Sequence, residues 1–128
     1  MAYDTTRATV VMFGGGVPSL FGDTWEFDGV DWRSVVTASA PPPQFGHRLV
    51  HDAVRGATVL LGGFDPAIGT ASGTWELSDG EWHEFRLAGA AGGGTTSLAA
   101  AFDASRSVVV AFGGLVSTAS DETWEFGG

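Results

Sequence analysis

Three histidines, one tyrosine and fifteen acidic residues are the side chains of this 128-residue chain that could move protons or hold a metal. The histidines, at 47, 51 and 83, lack metal-ligand spacing, so neither a metal nor a cofactor is expected. Cysteine is absent, which removes thiolate chemistry and any disulfide framework. Two glycine-rich stretches, Phe13 to Gly16 and Gly92 to Gly94, are not phosphate loops, because neither leads into Lys-Ser/Thr and a helix. Asp-x-x-Arg occurs three times, at Asp4–Arg7, Asp52–Arg55 and Asp103–Arg106. Its expected role is turn chemistry, with Asp bonding the turn amides and Arg lying along a sheet edge. No catalytic constellation emerges, and these residues point away from an enzyme.

The elements that carry these residues recur. Each Asp-x-x-Arg follows an aromatic residue or His and precedes an apolar run closed by Gly-Gly: TVVMFGG, TVLLGG and SVVVAFGG. Each run is followed by Thr-Trp-Glu-Phe or Thr-Trp-Glu-Leu, at 24, 74 and 123. The Asp landmarks are 48 and 51 residues apart and the Trp landmarks 50 and 49 apart, so three features recur in register. The apolar runs are β-branched and too short for helices, and Thr-Trp-Glu-Phe alternates as a pleated strand does. Asp28-Gly29 and Asp79-Gly80 supply hairpin turns into Trp32–Val35 and Trp82–Phe85. The predicted class is all-β, with four-stranded antiparallel meanders. The tryptophans are expected between sheets, and the glutamate between Trp and Phe toward solvent or a turn.

Four strands per fifty residues, with Gly-Gly after the second and Trp in the third and fourth, resembles the kelch-repeat family. The residues that carry the resemblance are Gly14, Gly15, Gly62, Gly63, Gly113, Gly114, Trp25, Trp75, Trp124, Trp32 and Trp82, with PPPQFGHRLVHD resembling a typical start of a repeat. The resemblance implies blades of a β-propeller. They would span 1–36, 45–87 and 95–128, the last without its fourth strand. It also brings in kelch-type enzymes as a second possibility, epimerases or mutarotases that would use His47 and Arg48 with a nearby carboxylate. A copper-radical oxidase of the galactose oxidase kind would need the cysteine that is missing.

About three blades cannot close a ring that ordinarily takes four to eight. Two broad apolar faces would stand open, and faces of that size are binding surfaces or aggregation liabilities. The preferred expectation is association with a copy of itself, a homodimer of three-bladed halves making six. The alternatives are a piece of a longer propeller and an open stack that survives alone.

Tight turns fall on one rim of such an assembly and long, dissimilar segments on the other: GVPSLFGD, FDPAIGTASG, LVSTASDE, TASAPPPQFG and RLAGAAGGGTTS. A binding site for a protein or glycan is therefore expected on the long-loop rim, with Phe21, Asp23, His47, Arg48, Phe64 and Asp65 as candidate contacts. Plainer roles are anchoring of an inner strand for His47 and Arg48, loop packing for Phe21 and Phe64, and a turn for Asp23. A net charge of −9 argues against nucleic acid and anionic membranes as partners. Met1 leads straight into AYDTTR with no signal-peptide pattern, and the longest apolar runs are strand length, short of a membrane span.

Overall fold

In the computed structural model the described residues are 1–16, 18–67, 69–70, 73–85, 95–115 and 117–127. They form thirteen strands and no helix. The first sheet holds β1 (Ala2–Asp4), β2 (Thr9–Gly15), β3 (Phe21–Phe27) and β4 (Trp32–Val35), each antiparallel to the next. The second holds β5 (Arg48–Asp52), β6 (Ala57–Leu61), β9 (Thr74–Ser78) and β10 (Glu81–Phe85) in the same order. Between β6 and β9 a two-stranded ribbon, β7 (Phe64–Asp65) and β8 (Gly69–Thr70), occupies what the sequence presents as a plain loop. The third sheet has β11 (Ala99–Asp103), β12 (Val108–Phe112) and β13 (Thr123–Phe126).

Register dictates which residues share a face, because directly opposed residues point the same way. In the first sheet Tyr3, Val10, Phe27 and Trp32 form one row across four strands, and Ala2, Val11, Glu26 and Arg33 form a row on the other face. The matching rows of the second sheet are His51, Thr58, Leu77 and Trp82, and Val50, Val59 and Glu76. Two apolar clusters follow. Val11 and Phe13 of the first sheet pack with Leu49, Leu60, Leu77 and Trp82 of the second. The second sheet's opposite face, Val50, Val59 and Leu61, packs with Leu98, Val109 and Ala111 of the third, flanked by Phe102, Trp124 and Phe126. Three sheets are thus stacked face to face, with the middle one covered on both sides.

The Asp-x-x-Arg turns bond as expected and do more. Asp4 Oδ1 accepts from the Thr6 and Arg7 amides, Asp52 Oδ1 from Val54 and Arg55, and Asp103 Oδ1 from Ser105 and Arg106. Each turn closes on a left-handed residue, Ala8, Gly56 and Ser107, with φ between 54° and 66°. Each arginine then bridges its own aspartate to the glutamate of the Thr-Trp-Glu strand: Arg7 to Glu26, Arg55 to Glu76 and Arg106 to Glu125. The glutamate, expected toward solvent or a turn, thus meets the turn's arginine in all three sheets, and what differs is its burial. Glu26 also takes Arg33 at 2.9 Å, and its side chain is 2 % exposed, against 19 % for Glu76 and 47 % for Glu125. The first sheet's glutamate lies under the second sheet, whereas among the described residues nothing covers the third sheet's.

A correction concerns the tryptophans. Trp82 is 1 % exposed, but its counterpart Trp32 is 45 % exposed, tilted against Phe27 with ring centroids 5.2 Å apart. Trp25, Trp75 and Trp124 are half-buried. A row position buries its tryptophan only where another sheet lies against it, and among the described residues none lies against this face of the first sheet.

Candidate functional site

The Gly-Gly pairs build the rim on which the candidate contacts lie. Gly14, Gly62 and Gly113 are left-handed, with φ of 56°, 64° and 67°. The next glycine donates its amide to the lead-in segment of the following sheet: Gly15 N–H to Gln44 O and Gly63 N–H to Thr95 O, both at 2.9 Å. A Cβ on Gly62 would overlap the Thr95 carbonyl oxygen, so side-chain-free backbone is needed there. Beyond the strands of the second sheet Phe45 and Phe64 exchange backbone bonds at 3.1 and 2.8 Å, as Thr96 and Leu115 do beyond those of the third.

His47 stands at this joint. Its ring meets Phe13 edge-on, with centroids 5.6 Å apart, and its Nδ1 is buried without a hydrogen-bond partner. Burial above all, then the positive charges of the Met1 ammonium and Arg48, depress its pKa from 6.5 to about 4. It is therefore a neutral packing imidazole near pH 7. Arg48 Nε donates at 2.7 Å to the carbonyl oxygen of Leu98, just before β11, and ties the second sheet to the third. Both residues occupy anchoring positions.

The other candidates are similarly engaged. Asp23 lies in β3 rather than in a turn, and its carboxylate accepts the Trp25 indole N–H at 2.5 Å. Phe64 in β7 packs edge-on against Phe45, with centroids 5.6 Å apart. Asp65 caps its own turn by accepting the Ala67 amide at 2.8 Å. Phe21, the first residue of β3, is exposed. Five of the six thus already have partners within the chain, and the sixth, Phe21, is exposed. Much of the third long crossover, including the Gly92–Gly94 run, lies outside the described residues.

A cleft of about 260 Å³ opens instead on the tight-turn rim, between the Asp4–Arg7 turn and the Asp79–Gly80 turn, with Gly56 and Leu77 in its wall. Two of its charged groups, Asp4 and Arg7, are already paired with each other. Burial pushes the Asp4 carboxyl up, and hydrogen bonds from the Arg7 side chain and amide more than reverse this, leaving it below the usual carboxylate range. Asp52 behaves in the same way with Arg55.

The first sheet's outer face carries exposed large apolar side chains, of the kind expected at the ends of three stacked sheets. The row Tyr3, Val10, Phe27 and Trp32, with Met1 and Met12 on the same face, is the first sheet's counterpart of the buried row His51, Thr58, Leu77 and Trp82. Met1, Tyr3 and Trp32 on it are exposed. At the other end of the stack Phe112 is 51 % exposed, whereas Leu61, its counterpart in the second sheet, is fully buried. The signal for these faces was the strand alternation itself, read together with the number of sheets. No protein-family model matches the chain, and a search of curated proteins gives no match.

Proposed function

We propose that the three sheets are blades of a kelch-type β-propeller and that the chain is a non-enzymatic binding or scaffold module. In this reading it associates with a second copy, two three-bladed halves making a six-bladed ring. The long-loop rim of that ring is the surface offered to a protein or glycan. The observation that carries the reading is the open first face: it repeats, position for position, a row that the second sheet buries. An apolar face with three exposed large side chains is costly to leave in water, at about 25 cal/mol per Å² of apolar surface.

Mass in dilute solution tests it. Sedimentation or light scattering should give twice the 13.2 kDa chain mass. A stable, well-behaved monomer overturns self-association and leaves the cover to further sheets of a longer polypeptide. A glycan array beside a turnover screen on sialic acids and simple sugars separates binder from enzyme. Turnover abolished by His47→Ala or Arg48→Ala in a folded protein would replace the binding reading with a carbohydrate-active one.

A further inference from the structure

Self-association leaves open which surfaces meet, and the internal interfaces supply the answer. Between the first and second sheets Trp82 is the key. Its ring packs edge-on against Phe13 with centroids 5.6 Å apart, and its Nε1 donates to Thr24 Oγ1 at 2.9 Å. Phe13 and Thr24 are directly opposed residues of β2 and β3. The third sheet carries the same pair in the same opposed register, Phe112 and Thr123 on β12 and β13, and both are exposed. Trp32, at the position of Trp82, is the exposed indole of the first sheet. One end of the chain therefore holds an empty Phe–Thr receptor and the other the tryptophan that such a receptor takes.

The rest of the two faces agrees. His51 Nε2 stands 3.5 Å from Asp4 Oδ1 across the first interface, and the matching residues at the open ends are Tyr3 and Asp103. Tyr3 brings a hydroxyl donor and Asp103 a carboxylate acceptor. Resting on the self-association reading, we propose a head-to-tail contact in which the first sheet of one copy seats on the third sheet of a second copy. Trp32 then donates to Thr123 of the second copy against its Phe112, and Tyr3 faces its Asp103. The contact joins two different surfaces, so each copy uses both ends and two copies can close on each other.

Crosslinking tests the register, because the chain has no cysteine of its own. Ser34 lies on β4, two residues beyond Trp32 and on the same face, and Ser34→Cys leaves the indole in place. Two strand residues span about 7 Å, so a bis-maleimide reaching roughly 10 Å should join it to Thr123→Cys on another copy. Chains with Ser34→Cys and chains with Thr123→Cys, mixed in equal amounts, should give a covalent dimer whose linked peptide joins positions 34 and 123. Trp32→Phe, which keeps the ring and loses the donor in each of the two contacts, should weaken the dimer roughly ten- to a hundredfold. Links of 34 to 34, or no link in a sample that sediments as a dimer, overturn this register and leave self-association standing. A monomer by sedimentation overturns both.

Discussion

The interface between the first and second sheets and that between the second and third are built on one plan from different residues. In the first, β10 supplies Trp82, which covers the Phe13–Thr24 pair, and Glu26 on the same strand as Thr24 is sealed from water. In the second, no fourth strand follows β13 among the described residues, and Glu76 keeps partial access to solvent. At the joint near the rim, His47 packs against Phe13 in the first interface, whereas Leu98 occupies its place beside Leu61 in the second. The comparison teaches that the repeated letters specify a position in a row, and that a neighbouring sheet decides whether the position is dry.

The largest expected break in this comparison is Trp82→Ala. It removes the fully buried ring and its hydrogen bond and should cost about 3–5 kcal/mol in urea unfolding. Trp124→Ala, at the half-buried position of the second interface, should cost clearly less. The glutamate gives a second comparison. Glu26→Gln weakens the bonds to Arg7 and Arg33, whose side chains are 39 % and 64 % exposed and can rehydrate, and should destabilise by roughly 1–2 kcal/mol. Glu125→Gln, half-exposed, should change stability by less than about 1 kcal/mol in the same assay.

His47 sharpens the comparison through pH. Its folded pKa is lowered to about 4, so as pH falls from 6.5 toward 4 the unfolded chain takes up a proton that the folded one refuses. Stability contributed by the neutral ring should therefore decline over that window by up to about 3 kcal/mol and level off below it. His47→Leu, which copies Leu98, should flatten the slope of urea midpoints between pH 7 and pH 4.5. An unchanged slope would contradict the assignment. The smallest effect concerns the turns. Ala8 adopts the left-handed conformation that Gly56 holds in the second sheet, so Ala8→Gly should raise stability by about 1 kcal/mol, seen as a higher Tm.

Much of the fold was legible because strand length, turn chemistry and alternation are local. The runs Val10 to Phe13 and Val108 to Val110 could only be strands, and Asp4, Asp52 and Asp103 sit in the turns their neighbours imply. Burial was less legible, because it depends on what lies opposite. Trp32 and Trp82 are the same residue in the same local setting, yet among the described residues another sheet lies only against the second. Glu26 read as facing solvent or a turn, and nothing in Thr-Trp-Glu-Phe reveals that it meets Arg7, nineteen residues earlier, in a site the second sheet seals. The β7–β8 ribbon escaped notice because two-residue strands leave no period to read. The candidate contacts were placed on one rim by turn length alone, and turn length says nothing about whether Asp23 or Asp65 already has a partner.

The joints between successive sheets, Gly15 to Gln44 and Gly63 to Thr95, are written in main-chain atoms. Gln44 and Thr95 differ in side-chain size and functional group, yet each offers the same carbonyl. A gene that copied one fifty-residue unit in tandem would hand the new unit a working hinge at birth, with no matched pair of side chains to evolve first.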